Sequence, residues 1–333
     1  MPLGNVKTRI PMLKTLGRFA FVDDAKDYLE ALELTLEPRA TCYFVAPADF
    51  GKLDAMLAQT RNLLRKEQEL LLHVSRAQAG DEANLEFTAA RRALAYFAEP
   101  CRLDMVIGLF SDYSMPVEDG ISLCAKYKMT GLQRTLLTGI AEERKAIEAF
   151  NAGAIETYMP KSVGPLYARI LEQIASQTIE SGARRGELLQ ASVGDDLLNT
   201  LANPAAGEAL TRFLEQHGIT EHILLGSPQG LLGITEHGHA IWIQLETASS
   251  FAQLLEEVTT SDVGWSSEVI ERIATRRSII AEAFMGQLGR RATEHDAQIV
   301  CDAPYLAAGV FPLRELPPEF TPAARQPSAS AAA

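Results

Sequence analysis

The chain has 333 residues, of which 47% are hydrophobic and 22% charged, with a formal net charge of −12 at pH 7. That length suits two domains with well-formed cores. No apolar run approaches a membrane span, and Met1–Arg18 is mildly basic without the uninterrupted apolar region of a signal peptide, so a cytoplasmic location is expected. Four cysteines, Cys42, Cys101, Cys124 and Cys301, have no paired spacing. The first three sit in or beside expected core elements, which favours buried thiols over disulfides or metal ligands.

In chain order, Phe19–Val22 is a short apolar run ending in the acidic pair Asp23-Asp24. A helix over Ala25–Leu36 follows, and an Asp in front of it is a favourable N-cap, which could be the pair's whole role. Thr41–Ala46 predicts a second strand. Lys52–Ala79 has no Gly or Pro and is rich in Leu, Gln, Glu and Arg, the pattern of one long helix. Along it Met56, Leu63 and Leu70 recur every seven residues, as do Leu57, Leu64 and Leu71. Such a stripe suits either a coiled-coil seam or packing on a neighbouring helix, and the intramolecular reading is commoner for a short run. Gly80-Asp81 breaks this helix, and Thr88–Glu99 predicts another.

Met105–Phe110 then reads as a buried parallel strand leading into Asp112-Tyr113-Ser114-Met115-Pro116 and Asp119-Gly120. Leu136-Leu137 leads to Thr138-Gly139, and Ala154–Met159 ends near Lys161. Four apolar strands thus end, in order, in paired carboxylates, a carboxylate, a hydroxyl and an ammonium. In a parallel sheet with right-handed crossovers all four ends can share one edge, the edge at which open α/β sheets bind ligands.

Four separated motifs in this order resemble the receiver domain of two-component response regulators, from about Gly17 to about Thr178. The resemblance implies a doubly wound five-stranded parallel sheet over residues 16–180. It implies Mg²⁺ ligated by Asp24, Asp112 and the backbone carbonyl of Ser114, with Asp23 acting through water, which fits the preference of that ion for hard oxygen ligands. Asp112 would be the nucleophile that takes a phosphoryl group from a phosphohistidine. Lys161 and the metal would offset phosphoryl charge, Thr138 would donate its hydroxyl to the attached phosphoryl group, and Tyr158 would be the switch aromatic. The implied upstream partner is a histidine kinase or a histidine phosphotransfer protein.

Two features depart from the family pattern. Ser162, not Pro, follows Lys161, and Pro160 precedes it. The interval from Asp24 to Asp112 is about twice the usual one. With Thr88–Glu99 taken as the family's second helix, residues 48–87 become a helical-hairpin insertion offering a partner or dimer surface.

After the last receiver helix, Pro165–Ser181, with Ser181-Gly182 and Gly186 marking the seam, a smaller α+β domain is expected over 192–316. His222–Gly226, Leu231–Thr235 and Ala240–Leu245 predict an antiparallel meander. Helical patterns flank it at Ala205–Gln216, Phe251–Val258 and Ser266–Arg291. Pro317–Ala333 reads as a disordered tail. From Ser192 onward there are 8 Lys/Arg against 18 Asp/Glu, which disfavours nucleic acid as a partner. The arginines Arg272, Arg276, Arg277, Arg290 and Arg291 share their helix with glutamates and read as a solvated face. His237 and His239 flank a hairpin Gly and, with Cys301, fit no familiar zinc spacing. The leading expectation is a phosphorylation switch acting through protein binding or oligomerisation, with no recognisable catalytic output domain. A receiver-gated enzyme ranks second and a DNA-binding regulator third.

Overall fold

The computed structural model describes residues 8, 10–36, 40–76, 88–139, 142–261 and 264–323. In chain order the elements are β1 (Leu13–Lys14), β2 (Arg18–Val22), α1 (Lys26–Leu36), β3 (Cys42–Val45), α2 (Phe50–Arg76), α3 (Ala89–Ala98), β4 (Val106–Asp112), α4 (Gly120–Lys126), β5 (Gln133–Thr138), α5 (Glu143–Asn151), β6 (Thr157–Pro160) and α6 (Leu166–Arg185). Then come α7 (Asp195–Ala202), α8 (Pro204–Gln216), β7 (Ile219–Gly226), β8 (Gln229–Thr235), β9 (Ala240–Thr247), α9 (Ser250–Thr260), α10 (Ser267–Ala274), β10 (Ser278–Ile280), α11 (Glu282–Gln287), β11 (Glu294–Asp296), β12 (Gln298–Asp302) and β13 (Tyr305–Pro312).

The chain divides into two units, and each is built from separated stretches. The receiver unit takes Thr15–Gln68 and Pro100–Arg185, while the second unit takes the chain up to Lys14, Glu69–Glu99 and the chain from Gly186 onward. The described chain therefore passes between the units at four points.

In the receiver unit a parallel sheet runs in the order β3-β2-β4-β5-β6. Every residue of β4 and β5 is buried, because both faces of a parallel sheet are covered. One face packs Ala20, Val22, Leu109 and Leu136 against Leu53, Leu57 and Leu123. The other packs Phe21, Phe110 and Leu137 against Leu29, Leu32 and Ile170. Phe21 and Phe110 stack with ring centroids 4.5 Å apart. Below the sheet, Arg185 at the end of α6 donates to Glu67 Oε2 (2.6 Å), Thr15 Oγ1 (2.7 Å) and Ser181 Oγ (3.2 Å). Three of the four points at which the chain leaves this unit thus end on one buried ionic cluster.

The long helix is present, and its two stripes are buried (Leu57, Leu63, Leu71) or partly buried (Met56, Leu64, Leu70) within this chain. Leu53 and Leu57 lie in one receiver core, Leu63 in the other, and Leu71 and Val74 in the core of the second unit. Its role corrects one expectation. The first half of α2 is itself the receiver's second helix, and Thr60 Oγ1 accepts from the Val106 amide at 3.0 Å. The helix expected there, Thr88–Glu99, forms as α3 but buries Ala89, Ala90, Ala93, Leu94 and Phe97 in the second unit. An amphipathic helix specifies that it has an apolar face, not which core receives it. Residues 77–87, including Gly80-Asp81, lie outside the described residues.

The second unit centres on a six-stranded antiparallel sheet of order β1-β7-β8-β9-β13-β12. The expected meander is β7-β8-β9, and β13 extends it by pairing with β9 from Leu306↔Thr247 to Pro312↔Ile241. Trp242 stacks on Phe284 at 4.0 Å in its core. Three expectations are corrected here. Ser266–Arg291 is not one helix: α10 stops at Ala274, Arg276 adopts φ 56°, and Ser278–Ile280 pairs with Glu294–Asp296. The tail does not begin as disordered chain at Pro317, since Phe320 packs on the core and the Ala323 amide donates to Phe97 O at 2.9 Å; residues 324–333 lie outside the described residues. Cys124 is buried and Cys42 partly buried, but Cys101 is exposed.

Candidate functional site

Each candidate side chain stands at the carboxyl end of a receiver strand. Asp23 and Asp24 follow Val22 of β2, Asp112 is the last residue of β4, Thr138 the last of β5, and Lys161 follows Pro160 of β6. Two hydrogen bonds hold this edge together, from the Tyr113 amide to Leu137 O and from the Lys161 amide to Thr138 O, both 2.9 Å. The loop after Asp112 closes tightly: the Gly120 amide donates to Tyr113 O at 3.0 Å, and Asp119 caps α4 through the Ser122 amide at 2.9 Å. A Cβ on Gly120 would lie 2.1 Å from the Asp112 carbonyl oxygen, so only glycine fits.

Carboxylate oxygens of Asp23, Asp24 and Asp112 all lie within 4.8 Å of one another, the one such group of possible metal ligands among the described residues. Asp23 and Asp112 are buried and Asp24 is exposed, which leaves the cluster open to solvent on one side. Lys161 bridges the two buried carboxylates, with Nζ 2.6 Å from Asp23 Oδ2 and 2.7 Å from Asp112 Oδ1. Their remaining oxygens are oriented by backbone: Ala25 N donates to Asp23 Oδ1 at 2.9 Å, and Ser114 N to Asp112 Oδ2 at 2.8 Å. The Asp23 carboxylate therefore serves the start of α1 and the site together. Burial alone would lower the pKa of Lys161, but the hydrogen bonds that it donates to Asp112 and Asp23 outweigh it and hold the ammonium above its ordinary value.

Thr138 Oγ1 is fully buried with no hydrogen-bond partner among the described residues. Tyr158 pairs with Leu136 and packs, half-buried, on the core of that sheet face. One residue at this site escaped the sequence reading. Tyr28, in the first turn of α1, lies with its ring under the Lys161 ammonium, 4.5 Å from Nζ to the ring centroid. Burial, then the charges of Asp23, Tyr167 and Asp112, push its phenol pKa upward. Nothing in its local sequence marks it, because its importance lies in what α1 faces.

Among the described residues, the second unit holds no comparable group of possible metal ligands. His237 and His239 have ring centroids 6.2 Å apart on their turn, and they belong to no ligand cluster among the described residues. Arg272 is engaged by Glu294 at 2.8 Å and by Asp296, and Arg290 donates to the carbonyls of Arg314 and Glu315. The strand end of β9 carries a hydroxyl–carboxylate set in which Ser250 donates to buried Glu246, and Thr247 and Ser249 donate to Asp196.

A five-stranded parallel sheet with three carboxylates, a hydroxyl and an ammonium on its carboxyl edge is the receiver fold of response regulators, and its acidic cluster resembles their phosphorylation site. Over nearly its whole length the chain is similar to the Legionella pneumophila response regulator LqsR, with TM-score 0.70, 18% identity, and 94% of each chain covered. At that identity the likeness is one of fold, and it takes in the receiver sheet, the long helix and the antiparallel sheet unit. A receiver domain protein (CheY-like) from Methanospirillum hungatei matches at TM-score 0.29 and 16% identity over 50% of this chain and 97% of its own. An adenylate cyclase from Rhodopirellula baltica matches at TM-score 0.30 and 16% identity over 56% of this chain and 98% of its own. No family model matches the chain, and no curated protein matches it.

Proposed function

We propose that this protein is a phosphorylation-controlled response regulator whose phosphoacceptor is Asp112 and whose output is a change in protein binding or oligomerisation. One observation carries the reading: Lys161 bridges Asp23 and Asp112 beside Asp24, on the sheet edge that also holds the unpaired Thr138 hydroxyl. A carboxylate oxygen of Asp112 attacks phosphorus of a phosphohistidine on a histidine kinase or phosphotransfer protein. The P–O bond forms as the P–N bond breaks, and the leaving imidazole keeps the electron pair and takes up a proton. Lys161 stays beside the phosphoryl oxygens, and Thr138 donates its hydroxyl to one of them.

Three carboxylates in so small a volume suit a hard divalent cation, so the residues fit Mg²⁺. Asp24 and Asp112 would hold it directly, Asp23 through water, and the Ser114 carbonyl would complete the protein's share. When bound, the ion supplies positive charge against the phosphoryl oxygens. Movement of Thr138 and Tyr158 toward the phosphoryl group would alter the surface of α5, β6 and α6, where Ile147, Phe150 and Tyr167 are exposed. Among the described residues no helix is long and apolar enough to cross a membrane.

The test is incubation with acetyl phosphate, with and without Mg²⁺, read by intact mass and by size-exclusion light scattering, beside Asp112→Ala. A Mg²⁺-dependent phosphate adduct absent from the variant, with a change in mass or shape, is expected. Failure of the wild-type protein to take up phosphate would overturn the reading.

A further inference from the structure

We infer that Tyr28 is a positioning residue for Lys161, its ring face holding the ammonium between Asp23 and Asp112; this rests on Asp112 being the phosphoacceptor. Lys161 reaches the site on four methylenes, from a stretch that continues through exposed Ser162, Val163 and Gly164. The backbone fixes its α-carbon through the bond from its amide to Thr138 O, but nothing in the loop beyond fixes the ammonium. Three groups do so. Two are the carboxylates at 2.6 and 2.7 Å, and the third is the Tyr28 ring, whose centroid is 4.5 Å from Nζ, within the range of a cation–π contact.

The three groups differ in what happens when Asp112 acquires a phosphoryl group. The oxygen that Lys161 now contacts on Asp112 changes its charge and its partners in that step. The ring offers no anion to compete with the phosphoryl oxygens, so it can keep the ammonium in place before, during and after transfer. The phenol hydroxyl is not what anchors Tyr28, since it is buried with no hydrogen-bond partner among the described residues. It is the face of the ring that meets the Lys161 ammonium. A tyrosine placed only to fill the core would also be half-buried against that sheet face. It would have no reason to present its face to the cation of the strand-end cluster.

The experiment compares wild type, Tyr28→Phe and Tyr28→Leu in two readouts. The first is the Lys161 ε-methylene resonance in ¹³C-labelled protein, assigned with Lys161→Gln. A lysine end lying over an aromatic face is shifted upfield by the ring current. The shift should persist in Tyr28→Phe and vanish in Tyr28→Leu. The second is the initial rate of phosphate adduct formation from acetyl phosphate at saturating Mg²⁺. Tyr28→Leu should be slower by about tenfold, the scale of a partly desolvated cation–π contact, and Tyr28→Phe should recover the rate to within about twofold. Equal rates in all three proteins, or no ring-current shift in the wild type, would overturn the inference. So would a loss in Tyr28→Phe as large as in Tyr28→Leu, which would assign the role to the hydroxyl. If the wild type forms no adduct, the phosphoacceptor reading fails and the role of Tyr28 with it, whereas an upfield shift would still record the contact itself.

Discussion

Replacing Thr138 by Val should stabilise the unmodified protein and, in the same stroke, uncouple it from phosphorylation. The hydroxyl ends β5, is fully buried, and has no hydrogen-bond partner among the described residues. Leaving a buried hydroxyl unsatisfied costs about 1–3 kcal/mol. Valine keeps the β-branched shape that the strand prefers and removes that polar atom. A gain of about 1–2 kcal/mol is therefore expected for the receiver unit. At about 2–4 °C per kcal/mol for a domain of this size, Tm should rise by about 2–8 °C. The phosphorylated protein should behave in the opposite way, because there the wild-type hydroxyl gains a charge-assisted bond worth about 1.5–3 kcal/mol and Val gains nothing. Scanning calorimetry of both proteins, with and without acetyl phosphate and Mg²⁺, separates the two effects, with intact mass recording that both carry the adduct. A fall in Tm of the unmodified variant would refute the reasoning, since it would mean that the hydroxyl is already hydrogen-bonded in solution.

Three other outcomes are expected. Gly120→Ala forces a Cβ to 2.1 Å from the Asp112 carbonyl oxygen, a backbone atom that cannot swing away, so it should cost about 3 kcal/mol in urea unfolding and abolish adduct formation. Arg134 is 2% exposed and pairs with Glu156 at 2.7 Å while donating to the carbonyls of Cys124 and Gly153; Arg134→Met should cost about 3–5 kcal/mol, and adding Glu156→Gln should restore part of it. His222 of the second unit is buried against Pro11 O at 2.9 Å, and burial pulls its pKa from 6.5 down to about 4. The unfolded chain then binds the proton first as pH falls. Stability is therefore full above pH 6.5 and drops by about 3 kcal/mol on the way to pH 4, and His222→Asn should flatten that part of the profile.

The candidate site was largely legible in the sequence because its carboxylates, hydroxyl and ammonium lie at or just beyond the ends of apolar strands. Asp23, Asp112, Thr138 and Lys161 need only the strand and its direction to be placed. What the sequence concealed depends on which surfaces meet. The pattern of α3 shows an apolar face, and only packing decides that Phe97 and Leu94 belong to the second unit. Helical periodicity runs past Thr275, but the left-handed backbone at Arg276 and the β-branched pair Ile279-Ile280 end the helix and start a strand. The strand β13 hid behind Ala307-Ala308-Gly309, residues with weak strand preference, and it forms because seven cross-strand pairs with β9 hold it. Tyr28 was missed for the same reason as the core that receives α3.

The four passages of the chain between its two units bear on how such a protein can be inherited. A receiver joined to its output at one linker can change partners by a single recombination event. A breakpoint between Arg185 and Gly186 in this chain would remove from the second unit's core Leu13, Leu71, Val74, Leu94 and Phe97, all encoded upstream. Neither unit is one uninterrupted coding segment, so shuffling at a single boundary cannot transplant either of them whole. The two units must descend together, because the residues that build each core are interleaved along one coding sequence.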